Sequence, residues 1–256
     1  MVRVVAAISG NTVRELVRSK LLYNLLVFAA LFIGGSLFVA QLTIGSWVRV
    51  IVDMGLAAIE IAGAIMAIVI GVGLVAGEVE RKTILPTLAK PVPRWAFCLG
   101  RYLGLTGLLA VNVALMLVVL AVVLRLAGYG LSATVIEAAL LIAVELYVLS
   151  AVALLFASFS TPILASAFAF SVFLIGHLLS DLEAFAQRSQ SEAARTLARG
   201  FYFLLPDLEL LNLKAQAANE LTAAASFVWH SAAYGLVYAA LVLLLAIFIF
   251  ARRDLG

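Results

Sequence analysis

The fold of this chain is decided by residues 103–126, which read LGLTGLLAVNVALMLVVLAVVLRL. The only ionisable residue in this stretch is Arg125, which stands one place from its end. An α-helix needs about 20 mostly apolar residues to cross the hydrocarbon core of a bilayer. The stretch is therefore long enough and apolar enough to be a transmembrane helix.

Five further stretches have the same character, so the sequence predicts six transmembrane helices. Hydrophobic residues make up 65% of the 256-residue chain and charged residues only 12%, against about 25% charged residues in soluble domains. The mean hydropathy is +1.18. We therefore expect an all-α polytopic membrane protein that forms one domain over residues 1–256. The other predicted spans are residues 21–42, 52–76, 134–157, 162–179 and 231–251.

Cysteine and histidine are scarce in this sequence. The one cysteine, Cys98, has no partner for a disulfide, and the two histidines are His177 and His230. Structural metal sites usually combine four cysteine or histidine ligands. We therefore expect no disulfide, no bound metal and no cofactor on this chain.

Lysine and arginine are concentrated on one side of a six-span arrangement. Cytoplasmic flanks of membrane proteins carry the excess of these residues, so we expect both termini to be cytoplasmic. This topology accounts for the net charge of +3, and we expect no nucleic-acid partner. The cytoplasmic set is Arg3, Arg14, Arg18, Lys20, Arg81, Lys82, Lys90, Arg94, Arg101, Arg252 and Arg253, and the opposite set is Arg49, Arg125, Arg188, Arg195, Arg199 and Lys214.

Residues 1–20 have the pattern of an amphipathic helix. Apolar residues including Val5, Ile8 and Leu16 fall on one side, whereas the polar side carries Arg3, Arg14, Glu15 and Arg18. Such a helix is expected to lie in the membrane interface. Its simplest role is to anchor the first span, with its arginines facing lipid phosphate. Contact with a soluble partner protein is compatible with the same pattern.

Residues 78–94, between spans two and three, are the most polar cytoplasmic segment. Charges of both signs are followed by an apolar stripe and by Pro91, which cannot continue a helix. The pattern predicts a short surface helix, kinked at Pro86, that can dock on a partner. The residues of this docking helix are Glu78, Glu80, Arg81, Lys82, Thr83, Ile84, Leu85 and Leu88.

Several motifs resemble those of ABC-2 type transporter permeases. They include the opening segment Asn11-Thr12-Val13-Arg14-Glu15, followed by Leu22-Tyr23-Asn24. Others are Glu78-x-Glu80-Arg81-x-Thr83, Lys90-Pro91-Val92-x-Arg94, Leu99-Gly100-Arg101-Tyr102-Leu103-Gly104, and the segment from Leu205 to Lys214.

This resemblance implies the type V (ABCG-like) fold of an ABC exporter. It implies six transmembrane helices after an interfacial helix, with residues 78–94 acting as a coupling helix that sits in a cleft of a cytoplasmic ATPase. The chain would be a permease subunit and not itself an enzyme, and its location would be a bacterial or archaeal cytoplasmic membrane. Its substrate is left open by the sequence.

The resemblance also implies partners. A P-loop needs glycine directly before its lysine, but the four lysines follow Ser19, Arg81, Ala89 and Leu213. ATP and Mg²⁺ would therefore be bound by a separate ABC-type ATPase. Family members work as two permease halves with two ATPases, so the second permease chain would be a second copy or a homologue. Membrane lipid is a further expected partner, and an extracytoplasmic protein is another candidate.

Residues 181–230 form the long extracytoplasmic connection, which is too polar to span. Its apolar run contains Phe201, Tyr202 and Phe203 and is followed by Pro206. The resemblance implies short helices that re-enter the outer leaflet and act as an outer gate. The alternative is a helical cap above the membrane with an aromatic interfacial anchor.

Ionisable residues inside spans are costly and are functional candidates by default. Glu60 and Glu145 lie within spans two and four, and Asn112 in span three reaches a depth comparable to that of Glu145. A hydrogen bond between Asn112 and Glu145 would satisfy both groups structurally. Alternatively, these residues line a translocation path.

Two rival classes of function remain for a chain of this kind. An intramembrane hydrolase would need a nucleophile and a base, for which Ser171, His177 and Asp181 are the candidates, but no nucleophile-elbow motif accompanies them. An ATP-independent channel or membrane scaffold would need no ATPase.

Span two also carries small residues at Gly63, Ala67 and Gly71, which predict close helix packing.

Overall fold

The computed structural model describes residues 2–42, 47–77, 93–179 and 204–252, together with residues 182, 184, 196, 200 and 202. All regular elements assigned within these ranges are helical. They are α1 (Val2–Val17), α2 (Lys20–Gln41), α3 (Trp47–Val72) with a π-helical continuation (Gly73–Gly77), α4 (Arg94–Leu126), α5 (Ala133–Ala157), α6 (Pro162–His177), a 3-10 turn (Glu209–Leu211), α7 (Lys214–Ala218) and α8 (Ala225–Arg252).

Five of these helices are long and apolar enough to cross a membrane: α2, α3, α4, α5 and α8. The prediction of an all-α polytopic membrane protein is therefore confirmed. Helix α6 has 16 residues, which corresponds to about 24 Å. This is shorter than the usual span, so a sixth complete crossing stays a prediction.

Two helices begin earlier than their apolar stretches predict. Helix α4 begins at Arg94, directly after Pro93, whose φ of −66° suits a helix start. Helix α8 begins at Ala225 rather than near residue 231. The backbone stays helical through these more polar turns, so hydropathy marks the apolar part of each helix and not its ends.

Helices α3 and α5 form the centre of the bundle, and α2 and α8 lie outside. Most residues of α3 and α5 are buried. In contrast, Phe38 of α2 is 74% exposed, and Leu241 and Leu244 of α8 are also exposed. Apolar side chains on the outside of a bundle are those that face lipid tails in a bilayer.

Small residues bring α3 close to α5. A Cβ atom added at Gly63 would lie 2.5 Å from Leu146 Cδ1, and one added at Gly71 would lie 3.1 Å from Ala153 Cβ. Ala67, between these glycines, is fully buried. The small-residue stripe in span two is therefore a packing surface, as predicted.

Helix α1 packs directly on the first turns of α4. A Cβ atom at Gly100 would lie 2.7 Å from Ile8 Cβ, and one at Gly104 would lie 2.7 Å from Thr12 Cβ. Thr12 is fully buried. The amphipathic helix predicted for the N-terminal segment is formed, and part of its buried face lies against another helix.

Polar contacts fasten the same end of the bundle. Arg101 Nη1 donates to Glu15 Oε2 at 2.6 Å, and Arg94 Nη1 donates to the carbonyl of Ala251 at 3.1 Å. The ring of Phe97 stacks on that of Phe250, with ring centres 6.1 Å apart. The start of α4, helix α1 and the last turns of α8 are therefore held together. The predicted polar residues Arg3, Arg14 and Arg18 are exposed.

Candidate functional site

Part of the long connection that follows α6 returns to the end of that helix. The backbone N–H of Leu208 donates to the carbonyl of Gly176 at 3.1 Å. A Cβ atom at position 176 would lie 2.8 Å from the Leu208 side chain and 2.9 Å from the Pro206 carbonyl oxygen. Gly176 thus permits a close approach that a larger residue would block.

Helix α8 holds the returning segment from its other side. The hydroxyl of Tyr234 accepts a hydrogen bond from the Asp207 N–H at 2.9 Å, and the Tyr238 hydroxyl donates to the Leu204 carbonyl at 3.0 Å. Tyr234 and Tyr238 lie about 13 and 20 Å along α8 from Ala225. The segment therefore lies beside the interior turns of α8 and not above its first residue.

Local hydrogen bonds shape this segment and start α7. The Asp207 carboxylate accepts from the Glu209 N–H at 3.1 Å, and the Asn212 side-chain oxygen accepts from the Lys214 N–H at 3.1 Å. Short polar side chains that bond the backbone two residues ahead are typical of tight turns. These two turns place Lys214 at the start of α7, facing the centre of the bundle.

Four ionisable side chains meet there: Glu60 from α3, Glu145 from α5, His177 from α6 and Lys214 from α7. His177 Nε2 lies 2.8 Å from Glu60 Oε1 and 3.7 Å from Glu145 Oε1. Lys214 Nζ donates to Glu60 Oε2. We call these four residues the charged cluster.

The charged cluster lies deep within the bundle. Glu60 and Glu145 are about 20 and 18 Å along their helices from Trp47 and Ala133. Glu145 is 1% exposed and Glu60 is 3% exposed. Burying carboxylates costs several kcal/mol each unless opposite charges and hydrogen bonds compensate.

The burial of the two carboxylates is compensated to different extents by neighbouring groups. Glu60 contacts both nitrogen-bearing side chains of the cluster. Glu145 Oε1 is buried and has no hydrogen-bond partner among the described residues. Glu145 is therefore the less satisfied group, and its oxygen faces His177.

The orientation of His177 follows from its second ring nitrogen. His177 Nδ1 lies 3.1 Å from the carbonyl of Phe173. A carbonyl oxygen only accepts hydrogen bonds, so this contact requires the proton on Nδ1. Nε2 is then the ring atom presented to the two carboxylates.

The structure brings together two of the three residues predicted for the translocation path. Asn112 lies elsewhere, and its Nδ2 donates to Met66 Sδ at 3.6 Å. The hydrogen bond between Asn112 and Glu145, one of the two alternatives that the sequence leaves open for these residues, is not formed. The reason is that Asn112 packs against α3 at Met66, whereas Glu145 faces the end of α6.

Sequence reasoning missed the roles of His177 and Lys214. From the sequence, His177 is a candidate only as a metal ligand or a catalytic base, and Lys214 is only a charge on the outer side and the last residue of the motif from Leu205 to Lys214. The available signal was the position of each residue, since His177 ends a short apolar stretch and Lys214 follows the apolar run that returns.

Other predicted site residues are placed as follows. Pro206 is buried and Tyr202 is exposed, whereas Phe201 and Phe203 lie outside the described residues. The docking-helix residues between 78 and 88 also lie outside them. Ser171 Oγ is exposed and donates to the carbonyl of Ala167 at 2.9 Å. It does not contact His177, and Asp181 is not among the described residues, so the described geometry gives no support to a hydrolase.

Comparison with protein families identifies the class of this protein. The family model described as ABC-2 family transporter protein matches residues 6–255. The chain therefore belongs to the ABC-2 transporter family, and it is a multi-pass membrane protein with a transport permease role. The resemblance stated from the sequence motifs is confirmed. A comparison with curated proteins gave no match.

Proposed function

We propose that this chain is the permease subunit of an ATP-driven exporter and that a separate ABC-type ATPase supplies the energy. The observation that carries this proposal is the family match over residues 6–255, because ABC-2 permeases generally work with an ABC ATPase partner. ATP and Mg²⁺ are bound by that partner, and this chain itself catalyses no chemical reaction.

The arrangement of α1 and α4 supports a route for mechanical coupling. The segment that carries the predicted docking helix, residues 78–94, leads into the first turn of α4, which begins at Arg94. That turn is held to α1 by the Arg101–Glu15 ion pair and to α8 by the Arg94 hydrogen bond. A force on the docking helix therefore reaches all three helices at one end of the bundle. Alternating access then follows from rocking of the permease halves.

The proposed assembly has two permease chains and two ATPases in a bacterial or archaeal cytoplasmic membrane. The second permease chain is a second copy of this one, and both termini are cytoplasmic. The buried residues Glu60 and Glu145 line the translocation path, and the segment around Tyr202 and Pro206 forms its outer gate. An extracytoplasmic partner protein would meet the complex near this gate.

The test is charge reversal in the docking helix. The double variant Glu80→Lys, Arg81→Glu is expected to reduce permease-dependent ATPase activity about tenfold or more in reconstituted complexes, because opposite charges would face each docking partner. ATPase activity would be measured with the ATPase that co-purifies with the full chain, and folding would be followed by gel filtration.

The matched control is Arg125→Glu, a charge reversal on the predicted opposite side of the membrane, which should leave the ATPase activity unchanged. Failure of any ATPase to co-purify with the chain would overturn the proposal. Unchanged coupling in the double variant would overturn the role given to the docking helix.

A further inference from the structure

We propose that Glu60, Glu145 and His177 form a binding site for a divalent transition-metal ion. The three side chains each offer one ligand atom, and these atoms all lie within 4.8 Å of one another. This departs from the expectation, drawn from the scarcity of cysteine and histidine, that the chain holds no metal.

The ligand types suit such an ion. Imidazole nitrogen and carboxylate oxygen bind Zn²⁺ at about 2.0–2.2 Å, so neighbouring ligand atoms of a tetrahedral site are about 3.4 Å apart. The observed separations of 2.8 and 3.7 Å from His177 Nε2 to the two carboxylate oxygens bracket this value. Small movements of the side chains would complete the site.

The second ring nitrogen of His177 provides independent support. Metal-binding histidines almost always donate their other N–H to a carbonyl or carboxylate, which fixes the ring orientation. His177 Nδ1 makes this contact with the carbonyl of Phe173 at 3.1 Å. The ring is therefore already held with Nε2 towards both carboxylates.

Glu145 supplies a ligand atom that has no other partner. Its side chain is only 1% exposed, and its Oε1 has no hydrogen-bond partner among the residues described. A buried carboxylate oxygen without a donor is costly. A metal ion between Glu145 Oε1 and His177 Nε2 removes that cost.

Charge balance also favours a bound cation. Two carboxylates and the Lys214 ammonium give the cluster a net charge of −1 when His177 is neutral. Lys214 contacts Glu60 Oε2, which leaves Glu60 Oε1 for the ion. The competing source of positive charge is a second proton on His177, and a Zn²⁺ titration distinguishes a bound metal ion from that proton.

The experiment is a Zn²⁺ titration of the full-length chain in detergent micelles after removal of metals with a chelator. A chromophoric chelator would report competition for Zn²⁺. We expect one saturable site per chain in the wild type, and an affinity reduced at least about tenfold in Glu145→Gln and in His177→Gln. The matched control is His230→Gln, which changes an exposed histidine and should leave the affinity unchanged.

X-ray absorption of the Zn²⁺-loaded wild type gives a second readout that needs no variant to fold. One imidazole nitrogen with carboxylate oxygens is the expected coordination. Absence of saturable binding, binding that the Glu145 and His177 variants keep, or coordination without imidazole would each overturn the site. This outcome is independent of the proposed ATPase coupling, since the titration uses the isolated chain.

Discussion

Glu60 contacts two other members of the charged cluster, one through each of its carboxylate oxygens. These partners are His177, at the end of α6, and Lys214, which lies at the start of α7 within the long connection. Removing one partner of a buried ion pair leaves the other charge uncompensated, which is strongly destabilising. The returning segment is therefore fastened to α3 by a contact that tolerates few substitutions.

Lys214→Met is expected to destabilise the protein by about 3 kcal/mol, because it leaves Glu60 with one partner fewer. The double variant Glu60→Gln, Lys214→Met should recover much of this loss, since the two residues act as a pair. Thermal unfolding in detergent would measure both effects. Lys20→Met, at an exposed lysine, is the control, and additive effects of the two cluster substitutions would contradict the pairing.

At this scale the sequence predicted half of the cluster. Glu60 and Glu145 stood out because charged groups inside apolar helices are costly. The partner of Glu60 could not be deduced, because Lys214 is 154 residues away in the chain. That contact depends on the return of the connection to the middle of the bundle, which no local pattern encodes.

At the scale of elements, the attachment of α1 to α4 depends on small residues at the contact. Helices approach closely where glycine removes the side chain. The amphipathic pattern predicted the α1 helix, but it did not predict that Thr12 would be buried against Gly104. A pattern shows which face is apolar, whereas the structure shows what covers that face.

Gly104→Val is expected to separate α1 from α4, because an added Cβ atom would lie 2.7 Å from Thr12 Cβ and 2.9 Å from the Ser9 carbonyl oxygen. Hydrogen exchange of the α1 amides should then become faster. Gly107→Val is the matched control, since nothing lies within 4 Å of a Cβ atom at that position of the same helix. Equal exchange rates in the two variants would contradict the tight packing.

At the scale of the whole molecule, the number of membrane crossings depends on α6. Five helices are long enough to span, and hydropathy alone predicted them. Helix α6 was predicted as a span of 162–179, but it ends at His177, where the returning segment packs against it. The hydropathy pattern could not show that the short helix α6 ends where the returning segment packs against it.

Single-cysteine labelling can test the six-span topology. In a Cys98→Ser background, a cysteine at Ser160 should react only with reagents added from the cytoplasmic side, and one at Gln190 only from the outside. The reason is that a complete crossing by α6 places these positions on opposite sides. Mass shifts after labelling of sealed vesicles would be measured. Labelling of both positions from one side would contradict six spans.

Helix α4 is one unbroken element of 33 residues, about 50 Å long. Its first turns are clasped by α1 and α8, and near its far end Leu120 fits against Gly55 of α3, where an added Cβ atom would lie 2.5 Å away. A tilt of only about 5° about one end would displace the other end by about 4 Å. Because α4 is long and has no break, a small change of its tilt at one membrane surface produces a sideways displacement at the other surface. No hinge within the helix is needed.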